Sequence, residues 1–107
     1  MNLQQKQCTP CEGGAAPLDE DTARQLLGSI DGWEMAGGAI KKSWKLKNYA
    51  EALAWVNAIS AVAEAENHHP DVALGWGYVD ATLTTHAIGG LSENDFIVAA
   101  KIDEAAR

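Results

Sequence analysis

In the segment AENHHPD, running from Ala65 to Asp71, two histidines stand side by side between an acidic stretch and a proline, and the chain holds one other histidine, His86. Imidazole is the side chain whose unperturbed proton affinity lies nearest neutrality, so a site built from such rings can give and take a proton within one reaction cycle. Glu64 precedes His68 by about one helical turn, which places a carboxylate on the same helix face. Proton transfer is therefore the first chemistry these residues suggest. A three-histidine metal site competes with it, because zinc favours imidazole and keeps a position open for water. Its difficulty is geometric: adjacent residues of an extended chain point to opposite sides, so His68 and His69 reach one ion only if the bend between them turns both rings together. Covalent catalysis has less support, since Cys8 and Cys11 both lie near the N-terminus and no Ser, His and acid arrangement is visible. Gly75, Gly77, Gly89 and Gly90 read as turn residues, not as a phosphate loop.

The elements that must position these groups follow from pattern. Leu18 and Asp19 open a first helix, with Asp19 as cap and Ala23, Leu26, Leu27 and Ile30 on one face up to Asp31-Gly32. Trp33 to Ala36 and Ile40 to Leu46 form two strands around the Gly37-Gly38 turn. On the second of them Ile40, Trp44 and Leu46 share a face into which Lys42 intrudes, while Lys41, Ser43 and Lys45 face solvent. Asn48 caps a long alanine-rich helix to about Glu66 with Tyr49, Leu53, Val56, Ile59 and Val62 or Ala63 as its apolar stripe. Pro70 forces His69 out of helical conformation, so the histidine pair sits where this helix gives way. Val72 to Trp76 and Tyr78 to Thr85 read as a second hairpin, with His86 on its polar face. Ser92 and Asp95 cap the last helix, Leu91 stapling onto Phe96. The order α-β-β-α-β-β-α predicts an α+β domain: a four-stranded antiparallel sheet with three helices packed on one face.

A length of 107 residues suits one domain, divided as a flexible N-terminal tail over 1–17 and a single folded unit over 18–107. Fifteen acidic against eight basic side chains leave a net charge of −7, broken only by KKSWKLK, which argues against nucleic acid and anionic membrane as partners. No apolar run approaches the ~20 residues of a membrane span, and MNLQQKQCTP lacks the core of a secretory signal, so a cytoplasmic location is expected. The CTPC pair is expected to carry no chemistry, with a disulfide or a shared metal as the alternative under oxidising conditions.

The run EAENHHPDVALGWGYVDATLTTHAIGGLSEND, from Glu64 to Asp95, closely resembles the core motif of the pterin-4a-carbinolamine dehydratases. It holds the acid before the pair, HHP itself, the aromatic Trp76, the Thr85-His86 dipeptide and LSEND. The likeness extends back through Gly32-Trp33 and KLKNYAEALAWV, and the CTPCEGG tail resembles tails of bacterial members. Trp76-Gly77 stands where animal members tend to have Tyr-Asn. The resemblance implies dehydration of 4a-hydroxytetrahydrobiopterin or a similar reduced pterin to the quinonoid dihydropterin, a step in recycling the cofactor of aromatic amino acid hydroxylases. It implies no metal and no cofactor, the pterin being the substrate. By the same correspondence His68 and His86 do acid and base work, His69 holds the pterin, and Glu64 receives its amino and ring NH groups. Thr84 and Thr85 supply contacts beside His86, Trp33 and Trp76 offer aromatic surface, and Asp95 is a supporting residue. A homodimer or homotetramer and a functional link to a hydroxylase are expected. The second function class implied is a non-catalytic protein-binding or assembly factor, because relatives with this fold include a dimerisation cofactor of a transcription factor and assembly chaperones.

Overall fold

A computed structural model of the chain describes residues 3–8 and 16–106. Cys11 lies outside the described residues, and so does most of the CTPC stretch. The elements are α1 (Glu20–Leu27), β1 (Glu34–Met35), β2 (Ile40–Lys45), α2 (Tyr49–Glu66), β3 (Asp71–Gly75), β4 (Tyr78–Leu83) and α3 (Glu93–Ala105), with single 3-10 turns at Leu3–Gln5 and His86–Ile88. All sheet pairings are antiparallel, in the order β1-β2-β4-β3. This is the expected α+β architecture.

Alternation along the central strands decides which face is covered. Ile40 of β2 and Val79, Ala81 and Leu83 of β4 are buried, while Lys41, Ser43, Lys45, Tyr78 and Asp80 are exposed on the opposite face. The helices close the apolar side, α2 against β3 and β4 and α3 against α2. The sequence of α3 is apolar nearly all round and buries Phe96, Ile97, Val98, Ala99 and Ile102, because α2 lies to one side and α1 and the N-terminal turn cover others. Residues 3–8, placed in the tail by the sequence reading, pack here: Leu3 is buried against α3.

Lys42, the charge that intrudes on the apolar face of β2, has a partner that pattern alone does not reveal. Its Nζ lies 2.8 Å from Asp103 Oδ1 of α3 and 2.6 Å from the Asp31 carbonyl, and stands over the Trp44 ring at 5.4 Å. Trp33 Nε1 donates to the same carboxylate at 3.0 Å. Asp103→Ala leaves the Trp33 indole N–H without its acceptor and the Lys42 ammonium with the Asp31 carbonyl but no counter-charge in a mostly buried place, so the unfolding free energy should fall by about 1–3 kcal/mol, read from denaturant midpoints.

Three local expectations are corrected. Helix α1 stops at Leu27, not near Ile30: Gly28 caps it and Ser29 and Ile30 wind down through bonds to Leu26 and Leu27. The buried stripe of α2 is Ala52, Ile59 and Ala63 with Val56 partly covered, whereas Tyr49 and Leu53 are exposed, since small alanines let the helix approach the sheet. Strand β4 ends at Leu83, so His86 belongs to a 3-10 turn and not to a strand face.

Candidate active site

The end of α2 separates the two adjacent histidines. Asn67 caps the helix in the left-handed region, φ 50°, a conformation that asparagine tolerates better than most side chains. The backbone N–H groups of Asn67 and His68 still reach back to Glu64 and Ala63 carbonyls, at 3.4 and 3.2 Å. Pro70 then disfavours helical conformation at His69. The two rings take different partners and burial: His68 turns inward toward α3, with its side chain 14% exposed, while His69 stays half exposed beside Glu64.

Each ring is held by a different carboxylate. His68 Nε2 lies 2.7 Å from Asp95 Oδ1, and His69 Nε2 lies 2.5 Å from Glu64 Oε2. Asp95 is fully buried and forms a reciprocal capping box with Ser92 at the start of α3. Its Oδ2 accepts from the Ser92 amide at 2.9 Å and from Thr85 Oγ1 at 2.8 Å. A carboxylate only accepts, so the Asp95 contact assigns the His68 proton to Nε2 and leaves Nδ1 as the nitrogen free to exchange a proton. The helix-capping residue therefore also orients a histidine.

The third ring arrives from the β4–α3 connection. The backbone pairs Thr85 with Gly90, and Gly89 takes a left-handed φ of 70°, closing the loop so that its 3-10 turn presents His86 beside the end of α2. Thr84 Oγ1 donates to the Gly38 carbonyl at 2.6 Å, tying the strand end to the β1–β2 turn. His68, His69, His86, Thr84 and Thr85 line one open cavity of about 510 Å³, within the range of small-molecule sites. Among the described residues no group of three or more His, Cys, Asp or Glu side chains is placed to hold a metal ion.

Other expected contacts are not brought here. Glu64 does not line this cavity; it borders a smaller one of about 210 Å³ with His69 and Pro70. Trp33 is committed to the core through Asp103 and an edge-on contact with Trp44 at 5.9 Å. Trp76 is 73% exposed at the β3–β4 turn, and the six residues of β4 at ~3.3 Å each put about 20 Å between it and Thr84. Aromatic character alone says nothing about which end of a strand a residue occupies.

The cavity also includes Glu66 and Asn94, to which sequence reasoning gave no site role, and Cys8, which it set in the tail without chemistry. Glu66 Oε2 accepts from Lys101 Nζ at 2.8 Å and Oε1 from the Cys8 amide at 2.9 Å. These bonds, the Lys101 one foremost, hold the Glu66 carboxyl below its ordinary value. A depressed folded-state pKa means stability present above about 4.5, the unfolded value, and lost as pH falls through the lower folded value. Thermal melts over that acid range should therefore show wild type losing its advantage over Glu66→Gln as pH drops. Burial, with Glu66 next, pushes the Cys8 thiol up to about 12, so it stays protonated. The CTPC pair marks Cys8 without saying that it reaches this cavity, whereas Glu66 could have been noticed as a second acid two residues before His68.

Comparison with known proteins agrees with this architecture. Residues 16–105 match the family model described as pterin 4 alpha carbinolamine dehydratase. A protein of Nitrosospira multiformis that carries the provisional name pterin-4-alpha-carbinolamine dehydratase is 49% identical over 95% of this chain and 90% of its own length. One of Dechloromonas aromatica with the same provisional name is 50% identical over 96% of this chain and 92% of its own. Among solved structures, a transcriptional coactivator/pterin dehydratase from Brucella melitensis superposes with TM-score 0.79 at 31% identity, covering 85% of this chain and 99% of that one. A pterin dehydratase-like protein identified as a RuBisCO assembly factor in the alpha-carboxysome gives 0.56 at 27% identity, covering 69% of this chain and 86% of that one. With the family match spanning residues 16–105 and relatives about half identical over nine tenths or more of both lengths, the chain belongs to the pterin 4 alpha carbinolamine dehydratase family.

Proposed function

We propose that this protein dehydrates a pterin-4a-carbinolamine, 4a-hydroxytetrahydrobiopterin or a similar reduced pterin, to the quinonoid dihydropterin by histidine acid and base catalysis. The observation that carries the reading is the convergence of His68, His69 and His86 on one cavity, with His68 oriented by a fully buried carboxylate. Hydroxide is a poor leaving group, so one imidazolium protonates the 4a-hydroxyl as its bond to carbon breaks and water departs. A neutral imidazole takes the proton of the adjacent ring nitrogen, and the electron pair of that N–H bond becomes the new carbon–nitrogen double bond. One proton is given and one taken, so no net proton is consumed. His68 and His86 fill these two roles, and His69, braced by Glu64, holds the pterin. Glu64 acts through His69, not as a direct cradle for the pterin's donor groups.

The test is to add purified protein to freshly generated carbinolamine and follow the ultraviolet change as water is lost. Acceleration over buffer is expected, and a rate equal to buffer would defeat the reading. The assembly-factor relative supplies a second, non-catalytic reading, which that same null result would favour.

A further inference from the structure

The walls of the cavity come from the end of α2, the β4–α3 connection, the start of α3 and the N-terminal segment. The histidines and threonines belong to the end of α2 and the β4–α3 connection, but Cys8, Glu66 and Asn94 also face the cavity, and Cys8 belongs to residues 3–8. That segment is anchored along its length. Leu3 is buried against α3, Lys6 Nζ pairs with Glu93 Oε2 at 3.0 Å, the Cys8 amide donates to Glu66, and Cys8 Sγ donates to the Asn94 carbonyl at 3.6 Å. Glu66 is the junction. Its side chain is 10% exposed, one oxygen takes the Cys8 amide and the other takes Lys101 of α3, so a single carboxylate joins three chain segments where the cavity begins.

We propose that Cys8, at the end of the anchored segment 3–8, is a fixed part of the cavity wall, docked by the Glu66 carboxylate, and that this docked segment sets substrate affinity without taking part in proton transfer. The inference rests on the cavity being the pterin site. The position of the segment supports a passive role. A thiol that donates to a carbonyl and stays protonated offers a small polarizable surface, not a nucleophile. Both oxygens of Glu66 are occupied by donors from the protein, which suits a brace better than an acid or base. Glu66 is thus a positioning residue.

Backbone and side-chain substitutions separate the parts. Cys8→Pro removes the amide N–H that Glu66 accepts, and Cys8→Ala keeps it. Glu66→Ala removes the acceptor, and Glu66→Gln keeps an oxygen for it. Each full-length variant is assayed for carbinolamine turnover across pH and, separately, for binding of 7,8-dihydropterin by fluorescence. Cys8→Pro and Glu66→Ala should raise KM and the dihydropterin Kd about fivefold, the worth of one hydrogen bond, with kcat and the pH profile within about twofold of wild type. Cys8→Ala and Glu66→Gln should restore near wild-type affinity. Folded Cys8→Pro and Glu66→Ala proteins with wild-type KM and Kd, whatever their melting temperatures, would overturn the proposal, as would a loss confined to kcat. Should Glu66→Ala not fold, Cys8→Pro leaves the Glu66–Lys101 pair in place and decides the matter. Wild-type protein that neither binds dihydropterin nor turns over would instead defeat the functional reading itself.

Discussion

Asp95→Asn should lower turnover about 10²- to 10⁴-fold while shifting the unfolding free energy by less than about 2 kcal/mol. The side-chain oxygen of asparagine can still accept from the Ser92 amide and from Thr85 Oγ1, so the start of α3 keeps its cap. Turning the amide the other way would set its NH2 against the Ser92 N–H, donor against donor. The NH2 group is therefore directed at His68 Nε2, where the carboxylate oxygen had been. A donor facing Nε2 moves the neutral ring's proton to Nδ1, the nitrogen that the proposed mechanism uses for proton exchange, and penalises the imidazolium which that mechanism requires. Aspartates that fix a catalytic histidine's tautomer in serine proteases have effects at the upper end of that range. Asp95→Ala is a different experiment, because it strips a buried amide, a hydroxyl and an imidazole of their acceptor at once and should cost stability as well as rate. Chemical denaturation beside kcat separates the two. An Asp95→Asn enzyme with wild-type turnover would show that His68 needs no such orientation.

His68→Ala and His86→Ala should each slow turnover about 10²- to 10⁴-fold, the usual worth of a positioned general acid or base. His86 is exposed, so its removal should leave stability within about 0.5 kcal/mol. His68 is less exposed and bonded to Asp95, and its removal leaves that buried carboxylate short of one donor, so a stability loss of about 1–3 kcal/mol should accompany the loss of rate. The double variant should be scarcely slower than the worse single one if the proposed acid and base act as a unit. His69→Ala should differ in kind, raising KM more than it lowers kcat. Wild-type rates in both single variants would remove these histidines from the mechanism.

Local chemistry was legible wherever the chain carries its own signal. The caps at Asp19, Asn48 and Ser92 stand where composition places them, since capping needs only a short polar side chain and an amide about three residues on. The two hairpins turn at Gly37 and Gly77, whose φ values of 64° and 81° are conformations that glycine accepts without strain. The alternation of Val79, Ala81 and Leu83 with polar neighbours marks the covered face of the sheet before any fold is known. His68, His69 and His86 were recognisable as a set because proton chemistry at neutral pH has few other candidates. Less legible was where each element ends. The alternation of residue types runs on through Thr85 to His86, but the chain leaves the sheet after Leu83 and coils into a 3-10 turn closed by Thr85 and Gly90.

By itself the sequence determined the element types, their order, the covered sheet face and the residue types able to move protons, because each depends on neighbours within a turn or two. Only the tertiary structure decided the partners: Asp95 with His68, Lys42 with Asp103, Cys8 with Glu66, and Trp33 and Trp76 away from the cavity. Those pairings span 27, 61 and 58 residues of chain. They arise from packing α3 between α2 and the N-terminal segment, and a packing direction has no period that can be read along the chain.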